Sequence, residues 1–178
     1  MIYDGEMLII FSGLPGVGKT TIARELARQI DAVHLRIDSI EQVILDFFDG
    51  NLTLDDIGYR VAYSVAEDNL QIGRTVIADS VNPIRLTRDS WVNVAKRAGV
   101  KAAKIEVTCS IPEEHRLRVE ARTADIPSMK MPTWADVVAR EYHAWDRERL
   151  VIDSANRTID ENVRLIRTML SGACSQTQ

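Results

Sequence analysis

Gly13-Leu14-Pro15-Gly16-Val17-Gly18-Lys19-Thr20 satisfies every fixed position of the phosphate-binding loop, and it lies between an apolar run and an amphipathic one. Upstream, Met7 to Ser12 (MLIIFS) suits a short buried strand. Downstream, Ile22, Ala23, Leu26, Ala27 and Ile30 recur at helical spacing. A glycine-rich turn in that setting aims successive backbone N–H groups at phosphate oxygens, and the following helix adds the positive end of its dipole. Gly13 to Gly18 are therefore expected to cradle the phosphates of ATP. Lys19 should reach the β and γ phosphates, Thr20 should ligate Mg²⁺ through its hydroxyl, and Thr21 should add a further contact.

Working outward, strand and helix signals alternate over the whole chain, which predicts a three-layer α/β/α domain with a mostly parallel sheet. Five strands are expected: Met7 to Ser12, Ala32 to Ile37, Thr75 to Asp79, Lys104 to Cys109 and Leu150 to Asp153. Ser39-Ile40-Glu41-Gln42 reads as a capping box opening an apolar stripe of Ile40, Val43, Ile44, Phe47 and Phe48 that Gly50 closes. Further helices are expected from about Asp55 to Ile72 and from about Thr87 to Ala98, stopped by Gly73 and Gly99. Thr133 is expected to cap a helix carrying Trp134, Val137, Val138, Tyr142 and Trp145 on one face, and Thr158 to Glu161 to cap the last helix. These aromatic stripes read as core faces rather than as a platform for stacking bases. One kinase-sized domain, residues 1–170, is expected, with a polar, disordered tail from 171 to 178.

Charge and cysteine content narrow the function. The 178 residues carry a formal charge of −4, with a pI near 5.4. Such a chain has no general attraction for nucleic acid or for an anionic membrane. No run approaches the roughly 20 apolar residues of a membrane span, and Asp4 and Glu6 are out of keeping with a signal peptide. Cys109 and Cys174 show neither metal-ligand spacing nor a disulfide framework, which fits a reduced cytoplasmic setting.

In an open parallel sheet the ligand lies beyond the C-terminal strand ends, so the residues following each strand carry the chemistry. Asp38 follows the second strand and Asp79 the third. Asp38 is expected to accept the proton of an attacking substrate hydroxyl, and Asp79 to orient Mg²⁺ through water, although the two roles could be exchanged. Ser110 to Glu113 should open a helix on which Arg118 and Arg122 share a face. Both are candidates for mobile positive charge over the nucleotide, on a lid of about residues 116–132 that includes Lys130. Glu114 stands four residues before Arg118, the spacing of a surface ion pair. His115 and Arg116 read as solvated, and His34 and His143 as structural. On the acceptor side the candidates are Arg36, Tyr59, Arg60, Tyr63, Asn82, Arg85 and Arg88, a set suited to a polar, even anionic, small molecule.

The sequences GLPGVGKTT, Arg36-Ile37-Asp38-Ser39-Ile40, VIADSVNP and Arg118-x-x-x-Arg122 resemble those of P-loop small-molecule kinases: adenylylsulfate kinase, gluconate kinase, chloramphenicol phosphotransferase and zeta toxin. The resemblance covers nearly the whole domain and implies an adenylate-kinase-like fold with strand order 2-3-1-4-5. It also implies that Asp38, in Ile-Asp-Ser, is the base, since chloramphenicol phosphotransferases use the aspartate of Val-Asp-Ser. It further suggests that Arg118 stacks on adenine, and that Asn156 and Arg157 border the base. The chain lacks the Asp-Gly-Asp-Asn type sequence of adenylylsulfate kinases and the Asp-x-Asp arrangement of shikimate kinases, so the resemblance does not assign an acceptor.

The leading expectation is thus an ATP-dependent kinase acting on a hydroxyl of a small molecule, as a monomer or homodimer. Two other classes compete with it. A nucleotide-dependent switch would need no acceptor base, which Asp38 argues against. An enzyme of nucleic-acid ends would want a basic stripe, which the acidic balance disfavours.

Overall fold

The computed structural model describes residues 6–49 and 52–174. Five parallel strands form one sheet: β1 (Met7–Ser12), β2 (Val33–Arg36), β3 (Val76–Asp79), β4 (Lys101–Thr108) and β5 (Leu150–Asp153). Their order is β2-β3-β1-β4-β5. The helices are α1 (Lys19–Ile30), α2 (Ile37–Phe47), α3 (Ile57–Gln71), α4 (Arg85–Ala98), α5 (Pro112–Ala121), α6 (Trp134–Ala139) and α7 (Ile159–Cys174). The expected three-layer architecture and strand order both hold.

The core follows from the period of two along a strand buried on both faces. Ile9 and Phe11 of β1 face one way, packing with Ile22 and Leu26 of α1 and Val163 and Ile166 of α7. Leu8 and Ile10 face the other way, toward Ala62 and Ala66 of α3 and Trp91 and Val94 of α4. Trp91 is wholly buried and meets Tyr63 edge to face at 4.7 Å, so this aromatic stripe is core packing. Phe11 and Arg36 both register with Asp79, which brings the ends of β1, β2 and β3 level. The loop of Gly13 to Gly18, Asp38 and Asp79 therefore open on one rim.

Several boundaries differ from expectation. Strand β2 stops at Arg36 because Ile37 turns inward as the first residue of α2. Ser39 thus lies inside the first turn of that helix, whose N-cap is Arg36 without a side-chain cap, and the expected capping box is not made. Val43 and Phe47 of the expected stripe are 68% and 80% exposed, so only part of α2's apolar face meets the core. Gly50, its expected stop, lies outside the described residues. Strand β4 begins at Lys101, where Lys101 to Ala103 register with Met7 to Ile9. Helix α4 starts at Arg85, and α5 at Pro112, since the Ser110 hydroxyl bonds to Asp153 instead of capping α5.

Helix α6 has the expected capping box of Thr133 and Asp136 but ends at Ala139. Tyr142 and Trp145 are not on it. The following segment is drawn instead to the buried Arg88, whose guanidinium donates to the carbonyls of His143 at 2.8 Å and Ala144 at 3.4 Å and lies 4.2 Å from the Trp145 ring centroid. These contacts outweigh the local helical pattern. The last helix is capped by Thr158 and Glu161 as expected, but it runs on to Cys174, past the expected start of the tail. Among the described residues no helix is long and apolar enough to cross a membrane.

Candidate active site

The loop after β1 takes its shape from two close constraints. A Cβ on Gly13 would stand 2.2 Å from the Val107 carbonyl oxygen, and φ there is +135°, so any side chain would push β1 from β4. Gly18, at φ +92°, is the N-cap of α1 without a side-chain cap, leaving the first N–H groups of that helix for a ligand. The loop is braced from outside. His115 Nε2 meets the Pro15 carbonyl at 2.8 Å, and the His115 ring meets Trp134 edge to face at 5.1 Å. His115 is buried, not solvated as its sequence context suggested, because α5 lies over the loop.

Lys19 donates to the Leu14 carbonyl at 2.9 Å. Burial pushes its ammonium down to about 8, against the pull of Asp79 and Asp38. Asp79 is buried at the end of β3. Burial alone would raise its carboxyl, but the His34 hydrogen bond at 3.3 Å and the charge of Lys19 hold it below the usual range, and Thr20 also bonds to it. Thr20 and Asp79 are thus the pair suited to a Mg²⁺ that carries phosphates and water as its other ligands. Among the described residues no group of three or more His, Cys, Asp or Glu could hold a metal without such help.

Two cavities meet at this point. One, of about 570 Å³, is walled by Gly16, Gly18, Thr21, Arg24, Arg118 and Arg157, among others. The other, of about 900 Å³, is walled by Asp38, Glu41, Tyr59, Asp79, Met129 and Arg140, among others. Lys19, Thr20 and Arg122 belong to both walls. Arg118 is anchored by hydrogen bonds to Ser154 Oγ and O, at 2.8 and 3.0 Å, and pairs with Glu114, so the expected ion pair and the cavity position hold together.

Other expected site residues lie elsewhere. Asn156 is absent from both walls and donates its backbone N–H to the Glu114 carboxylate at 3.3 Å. Arg36 is buried, held at 2.8 and 2.9 Å by Asp125 of the segment expected to form a lid, with Asp38 3.5 Å from its Nε. Asn82 is buried as a brace, donating to the Phe11 carbonyl at 2.8 Å, and its own carbonyl accepts from Arg88. Tyr63 packs on Trp91. Arg85 is 70% exposed beside Asp89 and Asp146, and Arg88 is only 2% exposed in the clasp described above. Arg60 is exposed and absent from both walls, so of this set only Tyr59 lines the second cavity.

Sequence reading missed Arg24 and Asp125 of the first cavity and Glu41 and Arg140 of the second. Glu41 stands three residues after Asp38 on α2, a spacing that was legible. Its carboxyl is pushed up to about 7, first by burial and then by Asp38, against the pull of Arg140. Arg140 follows a short helix, and nothing local marks it.

A family model described as an AAA domain matches residues 8–140. The chain belongs to that AAA domain family. Solved structures share its fold across nearly their full length. The Mycobacterium tuberculosis APS kinase CysC, in complex with AMPPNP and APS, superposes with a TM-score of 0.69 at 20% identity, covering 94% of this chain and 99% of that one. A gluconokinase from Sinorhizobium meliloti gives 0.66 at 16% identity, covering 99% and 100%. Chaetomium thermophilum Kti12, in complex with ADP-AlF3, gives 0.67 at 23% identity, covering 93% and 98%. This AAA domain thus has the fold of P-loop kinases, as the sequence motifs implied.

Proposed function

We propose that this AAA domain transfers the γ-phosphate of ATP to a hydroxyl of a small molecule. The observation that carries the reading is the shared wall. Lys19, Thr20 and Arg122 face both cavities, so a triphosphate lying along the first ends where the second opens, in front of Asp38. The nucleotides in the APS kinase and Kti12 complexes support the first half of this assignment.

In this reading Asp38 takes the proton of the acceptor hydroxyl as its oxygen bonds to the γ phosphorus, and the bond to the β–γ bridging oxygen breaks to release ADP. Lys19 and Arg122 meet the charge on the transferring group. Mg²⁺, on the Thr20 hydroxyl and through water on Asp79, would supply further neutralisation of the phosphates. Arg118 and Arg157 flank the adenosine. A cytoplasmic location accords with the composition.

The test is ADP release with Mg-ATP across a panel of metabolites and antibiotics. Asp38→Asn should lower kcat about a hundredfold or more while leaving ATP affinity nearly intact. Full turnover in that variant removes Asp38 from the chemistry, and failure of Mg-ATP to bind the native protein ends the reading.

A further inference from the structure

The acceptor cavity does not stop at Asp38. A hollow of about 620 Å³ continues it outward between α2 and the lid, and the two share Asp38, Glu41, Met129 and Lys130. Together the two offer more volume than a single sugar ring fills. Its charge is uneven. Lys19 and Arg122 face the phosphates, which leaves Lys130 and Arg140 against Glu41, Asp55 and Asp56 in the inner part, and against Asp46 and Asp49 farther out. The arginines that suggested an anionic acceptor are held elsewhere, Arg36 by Asp125 and Arg88 by backbone carbonyls.

The wall of this trench holds one carboxylate in a made-to-measure place without a partner among the described residues. Glu41 sits in a notch of α3. A Cβ on Gly58 would stand 2.3 Å from Glu41 Cγ and 2.9 Å from its Oε1, so a missing side chain makes room for this one. Among the described residues Glu41 has no hydrogen-bonded or ion-paired partner, although burial and Asp38 make its ionisation costly. On the same cavity wall Ser80 is only 4% exposed, its hydroxyl shut away beside Tyr59. A ligand that brings a cation to the Glu41 carboxylate satisfies it.

Resting on the phosphotransferase reading, we propose that the acceptor is an extended, amino-bearing polyalcohol whose ammonium group is received by Glu41, with its remainder lying along the acidic trench toward Asp46 and Asp49. Met129 and the aliphatic parts of the lid cover its carbon skeleton.

The proposal is tested by calorimetry on the full chain with AMPPNP and Mg²⁺, titrating kanamycin A and glucosamine as amino-bearing probes and gluconate and glucose as anionic and neutral ones. Kanamycin A should bind most tightly and glucose and gluconate weakly or not at all. Glu41→Gln should weaken kanamycin A binding about tenfold or more. Gly58→Ala, which displaces Glu41 without removing its charge, should weaken it in the same direction. Glu41 faces Asp38 on its own helix, Asp55 and Asp56 ahead of α3, Lys130 of the lid and Arg140. Binding should therefore strengthen between about pH 6 and 8 as Glu41 ionises, and that rise should vanish in Glu41→Gln. Preference for gluconate or glucose, or amino-probe binding indifferent to both substitutions, overturns the proposal even where ATP turnover is robust. Tight Glu41-dependent binding with no ADP formed from any bound polyalcohol overturns the phosphotransferase reading instead.

Discussion

The two cavities share a lysine and are otherwise opposites. The smaller is framed by main-chain amides of one contiguous loop and by Arg24, Arg118 and Arg157, against Asp125. The larger is assembled from α2, the approach to α3, the rim of β3, the lid and the end of α6, and its ionisable lining is mostly acidic. An electrostatic gradient thus runs across Lys19, from a region suited to polyanions to one suited to cations. Opposite charges on the two substrates would keep each out of the other's cavity, a separation that shape alone achieves less well.

The sharpest way to break this comparison is to remove the lysine that both halves share. Lys19→Ala should lower ADP formation by about a thousandfold or more, measured by coupled assay. Its Tm should shift little, because relief of a buried ammonium is set against the opposite charge that the buried Asp79 loses. A Tm collapse would mean that Lys19 holds the fold through Asp79, and the assignment of its role to phosphate would fail.

That contrast also governs what could be read from sequence. Gly13 to Thr20 are consecutive, so loop, helix start and lysine appear together in one line of text. Asp38 and Asp79 are flagged by strand ends. Glu41 depends on knowing that α2 starts at Ile37, two residues before the apparent cap, and that Gly58 yields space from another helix. Arg36, Arg85 and Arg88 misled because a long guanidinium side chain takes whichever carboxylates or carbonyls the tertiary fold offers. For Arg36 that partner is 89 residues away in the lid, and for Arg88 it is a segment more than 50 residues away that gives up its helix to meet it.

Proton traffic sharpens the comparison with an effect of intermediate size. Free Lys19 titrates at about 8, and a bound triphosphate raises that value, so nucleotide binding at pH 8 should take up about half a proton. Glu41 titrates at about 7, and a bound ammonium lowers that value, so cation binding at pH 7 should release about half a proton. The two halves therefore carry opposite signs. Calorimetry in two buffers of different ionisation enthalpy reads both, and proton linkage of the same sign in the two titrations would contradict the gradient.

The smallest expected effect comes from the contact that spans the halves. Asp125 of the lid receives Arg24, which lines the nucleotide cavity, at 3.0 Å, and Arg36, which sits beside Asp38, at 2.8 Å. Those hydrogen bonds, Arg24's first, hold its carboxyl down to about 2. The Arg24 pair is well exposed and worth little, whereas Arg36 is buried and would lose its carboxylate partner in the lid. Asp125→Asn should therefore cost about 1 kcal/mol, a fall of about 2–4 °C in Tm. Because the carboxyl is depressed in the folded state, its contribution is complete above about pH 4 and is lost as pH falls toward 2. The Tm gap between native protein and variant should accordingly close on acidification. Turnover should change less than about threefold, since Asp125, though on the wall of the smaller cavity, is not among the residues where the two cavities meet. A much larger loss, confined to KM for one substrate, would show that the latch orients Arg24 or Arg36 for that substrate and would shift the boundary between the two halves from Lys19 to the lid.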